Sequence, residues 1–194
     1  MQKRLFVALK IEPNNTFITL YNNLKDLWQE HTINWVPLNN IHLTLHFFGE
    51  TDESLIPLIS EQLKKAVHDI STFEINISSF GVFGSSYKPR VIWIKINPNE
   101  NIKVLSQNIS NNLSKIGYTA DRQNFVPHLT IGRIKSINDK QLFQKQLDEV
   151  KCKFIQQTSL HKMYLFESIL GSKGASYHII ETFNFKDHEP KSLL

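Results

Sequence analysis

The triplet His-Leu-Thr occurs twice, as "HLTL" at 42–45 and "HLTI" at 128–131, each time within a run that reads as a strand. Alternation of apolar and polar residues has a period of two, the repeat of a strand with one face on a core. In "IHLTLHFFGE" it puts Ile41, Leu43, Leu45 and Phe47 on the core face, and His42, Thr44 and His46 on the other. In "PHLTIGR" Leu129 anchors the strand, while His128 and Thr130 turn away from the core. The fold must therefore house two strands, each presenting an imidazole and a hydroxyl about 7 Å apart.

The surrounding sequence supplies the rest of two sheets and their helices. "RLFVALKI" (4–11) reads as a buried first strand. Phe17, Leu20, Tyr21, Leu24, Leu27 and Trp28 follow at helical spacing, with Pro13 and Asn15 as start signals. The strand of His42 closes at Gly49, and Ser54 caps a helix with Ile56, Ile59, Leu63, Val67 and Ile70 on one face. "FEINIS" (73–78) and "RVIWIKI" (90–96) alternate as strands. A helix over about 100–116 carries Ile102, Leu105, Ile109, Leu113 and Ile116 and stops at Gly117. After the second triplet come a helix near 138–149 and strands in "FIQQTSLHKMYLFES" and "SYHIIETFNF", separated by the turn "GSKG". The tail from about 186 reads as frayed. No linker rich in Pro, Gly or Ser divides the chain, so residues 1–194 are read as a single domain. The order strand, helix, strand, helix, strand recurs loosely. That implies an α+β fold: two pseudo-symmetric lobes of mainly antiparallel sheet, with outer helices, around a central cleft.

Composition narrows the classes. Hydrophobic residues make up 41% and charged residues 21%, as in ordinary globular proteins. A net charge of +4 and a pI near 9.1 favour a polyanionic partner such as RNA without requiring one. The lone Cys152 excludes an internal disulfide and a Cys-based zinc site, and reads as an inert thiol. The apolar run in "MQKRLFVALKIEP" is too short for a signal peptide, and nothing approaches the roughly 20 apolar residues of a membrane span. The expectation is a cytoplasmic protein that is monomeric and has no membrane association.

Two such strands facing one another across a cleft would surround one volume with two imidazoles and two hydroxyls, which suits a phosphodiester. A neutral imidazole takes a proton from an attacking water, and a protonated one gives a proton to the departing oxygen. The hydroxyls hydrogen-bond the non-bridging oxygens, where charge accumulates. Histidine suits both roles because its ordinary pKa, about 6.5, populates both forms near neutrality. Two imidazoles in one cleft also push their titrations apart. A metal site is the rival reading. On a strand His42 and His46 stand about 13 Å apart and cannot share an ion, and no carboxylate cluster accompanies them. No metal and no cofactor are expected.

Beyond the two H-x-T-x motifs lie "RLFVAL" at the start, "WVPLNNIHLTLHFFGE" at 35–50, "FGVF" at 80–83, "KPRVIW" at 88–93 and "FVPHLTIGR" at 125–133. "LFES" and a later "YHI" complete the series. In order and spacing, from residue 4 to about 185, the chain resembles the 2H phosphoesterase superfamily. Within it, the likeness is to the RNA 2',3'-cyclic phosphodiesterases, also called LigT-like 2'-5' RNA ligases. The resemblance implies a bilobal fold with one H-x-T strand from each lobe lining the cleft. It also implies hydrolysis of an RNA terminal 2',3'-cyclic phosphate to a 2'-phosphomonoester, and 2'-5' joining without ATP in reverse. By motif, His42 would be the proton donor and His128 the proton acceptor, with Thr44, Thr130 and Arg133 on the phosphate. Position 133 has the opposite strand parity to 128, so a strand end or a bulge at Gly132 is required to bring Arg133 to the cleft. Asn34 and Phe48 depart from many relatives, which carry a basic residue and a leucine there.

Phe83 and Phe80 flank Gly81 in a stretch read as a loop near the cleft; each either stacks a terminal base or packs in the core. Lys88, Arg90 and Arg122 are candidates for the RNA backbone and otherwise read as surface charge. Tyr164 and Ser168 either reach the cleft or pack inside. Trp28, Trp35 and Trp93 read as core, and His161, His178 and His188 as incidental. Two alternatives to RNA 2',3'-cyclic ends stay open. One is a 2H enzyme for 2'-5' oligoadenylates or small cyclic nucleotides; the other is a non-catalytic protein that binds RNA ends.

Overall fold

The alternating stretches form strands and the stretches of helical period form helices. Their order is β1 (Gln2–Lys10), α1 (Asn15–Leu27), β2 (Thr32–Trp35), β3 (His42–Asp52), α2 (Ile56–Val67), β4 (Phe73–Ser85) and β5 (Lys88–Ile96). Then come α3 (Glu100–Ser114), β6 (His128–Ser136), α4 (Lys140–Glu149), β7 (Gln156–Leu160), β8 (Lys162–Gly171) and β9 (Gly174–Asn184). The computed structural model describes residues 1–85, 88–119, 125–150, 154–171 and 174–187. Arg122, Cys152, His188 and residues 172–173 of the "GSKG" turn lie outside the described residues.

Among the described residues the strands form two antiparallel sheets, ordered β3-β1-β8-β9 and β2-β6-β5-β4-β7. Each sheet holds one histidine strand, so the fold is α+β with two lobes. The lobes are not consecutive halves of the chain, however. The late strands β8 and β9 complete the sheet begun by β1 and β3, while β2 leaves that sheet to pair with β6. One core cluster ties everything together, drawing Leu5, Leu9, Trp28, Leu63, Ile94 and Leu129 to complete burial. Each such side chain contributes about 1.5–3 kcal/mol by leaving water. Helices α2 and α3 pack on one another and reach β9 and β3 respectively. On the other side, Trp28, following α1, meets Trp35, Phe80 of β4 and Phe143 of α4.

Helix starts differ from the sequence reading by a residue or two. Asn14, not Pro13 or Asn15, caps α1 by accepting from the Phe17 amide. Asp52, not Ser54, provides the cap before α2, accepting from the Ser54 amide ahead of a 3-10 turn. Gly49 does not end β3. It takes φ +75° just after Phe48 has been left out of the pairing with β1, and the strand continues to Asp52. Phe80 to Phe83 are strand, not loop, because β4 runs on to Ser85 alongside β5. At the C-terminal end Lys186 is tied down by its amide to the Ile70 carbonyl (2.8 Å) and its ammonium to Asp69 (2.8 Å).

Candidate active site

The pairing of β6 with β5 decides where its side chains go. Lys95 stands across from His128, Trp93 from Thr130, Ile92 from Gly132 and Val91 from Arg133. Ile131 has no partner in that register, so a bulge falls between Thr130 and Gly132. One extra residue reverses the parity beyond it. His128, Thr130 and Arg133 therefore share one face, with Lys95, Trp93 and Val91 beside them. Leu129, Ile131 and Gly132 are all buried. Position 132 is tight: a Cβ there would come within 3.1 Å of Ile33 and 3.3 Å of Trp35, so those side chains would have to give by a few tenths of an ångström.

β3 has the same irregularity at the same place. Lys10 faces His42 and Ala8 faces Thr44, but Val7 then faces His46 and Phe6 faces Phe47, leaving Leu45 unpaired. The expected alternation is thus wrong after Thr44. Phe47 turns onto the histidine face and is 49% exposed, with the Arg4 guanidinium 4.8 Å over its ring. His46 turns to the opposite face, where its ring meets Phe48 and lies 6.3 Å from Tyr118. His46 is therefore no companion of His42.

Both imidazoles are held in the same manner. His42 Nδ1 lies 2.7 Å from the Asn40 carbonyl oxygen, and His128 Nδ1 lies 2.8 Å from the Val126 carbonyl oxygen. A carbonyl can only accept, so Nδ1 carries the proton in each neutral ring, and Nε2 is the nitrogen left to act as base or, once protonated, as acid. Aromatic rings fix the planes. His42 is edge-on to Tyr177 (5.2 Å, 88°) and 5.0 Å from Phe6. His128 is edge-on to Phe83 (4.9 Å, 89°), which itself stacks on Trp93 at 4.7 Å. Trp93 is thus a wall of the site and not a core residue. Gly81 makes room for it: a Cβ there would lie 2.8 Å from Trp93 Cζ2.

Burial lowers the pKa of His42 below its ordinary 6.5; the Asn40 carbonyl opposes that shift, and the charges of Arg133 and His128 deepen it. Arg133 and His128 thus lie within electrostatic reach of His42, across the approach of β3 to β6. Burial raises the Tyr177 phenol, a shift that Arg133 and Arg4 partly offset. Thr44 and Thr130 are half-buried next to their histidines. Phe80 lies on the other face of β4 from Phe83, packed against the core with its ring 6.1 Å from Trp28. Tyr164 shares the face of Ala8 and packs on a small cluster of Phe6, Ala8 and Phe166, while Ser168 pairs with Tyr177. Lys88 and Arg90 are exposed at the start of β5. Phe6, Phe47, Trp93 and Tyr177 were not singled out for the site from sequence. Only the extra-residue bulges and the distant strand pairings bring them there. Among the described residues no three of His, Cys, Asp and Glu gather as a metal site, and no helix is long and apolar enough to cross a membrane.

This arrangement can be set against known proteins. A family model of the 2'-5' RNA ligase superfamily matches residues 24–157. An RNA 2',3'-cyclic phosphodiesterase of Thermotoga maritima is 32% identical over 152 residues, 78% of this chain and 79% of that protein. The chain belongs to the LigT-like RNA 2',3'-cyclic phosphodiesterase family of the 2H phosphoesterases. A second member of that family, from Methanocaldococcus jannaschii, is 30% identical over 181 residues, 92% of this chain and 98% of its own. The fold of the LigT-like family is shared with a Thermus thermophilus protein of known structure, at a TM-score of 0.78 and 20% identity, covering 96% of this chain and 100% of that one. Escherichia coli LigT complexed with 3'-AMP superposes with a TM-score of 0.71 at 18% identity, over 95% and 99% of the two chains.

Proposed function

We propose that this protein hydrolyses the 2',3'-cyclic phosphate at the end of an RNA to a 2'-phosphomonoester, without metal or cofactor, as a cytoplasmic monomer. The observation that carries the reading is the matched pair of imidazoles, each with Nδ1 on a backbone carbonyl and Nε2 left for chemistry. His128 takes a proton from water as its oxygen attacks phosphorus. The P–O3' bond breaks, and His42, whose imidazolium form the bound anionic phosphate favours against burial, gives its Nε2 proton to the departing 3' oxygen. Thr44, Thr130 and Arg133 hold the non-bridging oxygens as charge builds on them. Run backwards with an RNA 5'-hydroxyl in place of water, the same steps form a 2'-5' linkage without ATP.

The terminal base stacks on Phe47, whose ring is half exposed on the histidine face, with the Arg4 guanidinium over it. Phe83 is engaged in bracing His128. The curated relatives in Thermotoga maritima and Methanocaldococcus jannaschii, both RNA 2',3'-cyclic phosphodiesterases, support this substrate.

The test is a pH–rate profile on a short RNA ending in a 2',3'-cyclic phosphate, with EDTA present, beside His42→Ala and His128→Ala. Each substitution should cost about 10²–10⁴ in rate, and the product should carry its phosphate on the 2' oxygen. Activity retained by either variant, or lost to EDTA, would overturn the mechanism. Binding without turnover would leave a protein that only holds RNA ends. Turnover of 2'-5' oligoadenylates in preference to cyclic ends would move the substrate.

A further inference from the structure

A cavity of about 170 Å³, lined by His42 itself, opens between Lys10, Asn39, Phe166, Tyr177 and Ile179. Lys10 and Asn39 stand at the end of β3 away from Phe47, while Phe166 and Ile179 lie across the sheet in the row of Phe6. Its floor is apolar and already formed. Phe166 is stacked on Phe6 at 5.1 Å, and Tyr177 closes edge-on against Phe6 at 4.9 Å. Its wall is pinned where the Asn40 side-chain amide donates to the Ala175 carbonyl at 3.1 Å. Its mouth is polar and open: Lys10 and Asn39 are exposed, and Ile179 is 54% exposed.

The mechanism proposed above fixes which end of the substrate meets this cavity. The leaving 3' oxygen sits at His42, and the attacking oxygen lies on the far side of phosphorus. In ribose, C3' is bonded to C4', which carries C5' and through it the preceding phosphate. C2' is bonded to C1', which carries the base. With the 2',3' edge turned to the imidazoles, base and upstream chain leave the sugar at opposite ends. β3 runs from His42 toward Phe47. A base placed on Phe47 therefore sends the upstream chain past His42, toward Lys10 and the cavity.

We infer that this cavity is the subsite for the nucleotide immediately 5' of the cyclic end, with Lys10 on its phosphate and its base against Tyr177 and Ile179. The lining fits that chemistry: a cation and an amide at the rim for phosphate and sugar, and aromatic and aliphatic surface inside for a base. The strand pairing also provides a matched control. Lys95 stands across from His128 as Lys10 stands across from His42, so it has the same charge and exposure on the wrong side of the phosphate.

The inference rests on the cyclic phosphodiesterase reading, and the experiment separates the two. kcat/KM is measured for a nucleoside 2',3'-cyclic phosphate and for a dinucleotide ending in the same cyclic nucleotide. The wild type should favour the dinucleotide by about tenfold or more, the scale of one stacked base. Lys10→Ala and Ile179→Ala should each reduce that ratio severalfold, while Lys95→Ala leaves it intact. The Lys10 effect should shrink as salt rises and the Ile179 effect should not. Damage to the chemical step falls on both substrates and cancels in the ratio. A wild type with no dinucleotide advantage, or a ratio untouched by both substitutions, overturns the subsite but not the phosphodiesterase reading. Absence of turnover on both substrates overturns that reading, and the subsite with it.

Discussion

Phe47 and Arg133 occupy equivalent positions on the two histidine strands: each follows its His-Leu-Thr triplet across a bulge and rejoins the histidine face beyond it. The two lobes are therefore alike in scaffold and unlike in chemistry. One strand carries a cation there, suited to phosphate oxygens, and the other a half-exposed aromatic ring, suited to a base. Under the proposed mechanism this asymmetry would give the cleft a direction, with a nucleoside side and a water side.

Arg133 makes the first prediction. Its positive charge disfavours a second positive charge on His42, so removing it should favour the imidazolium and raise the His42 pKa. An NMR titration of the His42 ring should show a midpoint below 6.5 in the wild type and a higher one in Arg133→Met. The same substitution should lower kcat/KM by about 10²–10³, as expected of a lost donor to a developing oxyanion. An unmoved midpoint would mean that the guanidinium does not share the His42 environment.

Phe47 and Phe83 should separate by kinetic parameter. Loss of a stacking platform weakens binding by about 1–3 kcal/mol, so Phe47→Ala should raise KM more than it lowers kcat. Phe83 is half-buried and edge-on to His128, so Phe83→Ala should lower kcat with KM little changed. The reverse pattern in saturation kinetics would give the stacking role back to Phe83.

Much of this was legible in the sequence because strands and helices of strong period announce themselves. "RVIWIKI" buries Ile92, Ile94 and Ile96 as alternation requires, and the triplets set His42 and Thr44, or His128 and Thr130, on one face. Legibility stopped at Leu45 and Ile131. A bulge residue looks like any other apolar residue, since its signature lies in the partner strand. The effect is large all the same, because one unpaired residue moves every later side chain to the other face. That is why Phe47 was read as core and His46 as a companion of His42, and why Arg133 needed a bulge to reach the site. Trp93 was missed for a different reason. Large aromatic residues are buried often enough that a site wall made of one reads as core until Gly81 is seen beneath it.

That glycine makes a third prediction. In Gly81→Ala the new methyl would sit 2.8 Å from the Trp93 ring, so Trp93 must shift and take Phe83 with it. Overpacking of this kind costs about 1–3 kcal/mol, which should appear as a lower Tm. Because Phe83 supports His128, kcat should fall as well, while the ring of His42 in the other lobe keeps its NMR titration. A variant with normal kcat would show that the Trp93–Phe83 stack does not orient the base.

The last prediction concerns pH and stability. Burial holds the folded pKa of His42 below 6.5, while the unfolded chain titrates at its ordinary value. Between those two values the unfolded state binds more protons than the folded one, so stability falls as pH drops. The contribution is fully present above about 6.5 and is lost as pH falls through the folded pKa, at no more than about 1.4 kcal/mol per pH unit. Carboxylates held low belong to a separate, more acidic window. Asp52 is stabilised by the Ser54 amide and Asp69 by Lys186, and both act from their ordinary 3.8 downward. Thermal melts from pH 7.5 to 5 should therefore show the wild type losing Tm in a range where His42→Gln loses less. Parallel curves for the two proteins would mean that His42 titrates alike in the folded and unfolded chains, and that burial does not hold its pKa down.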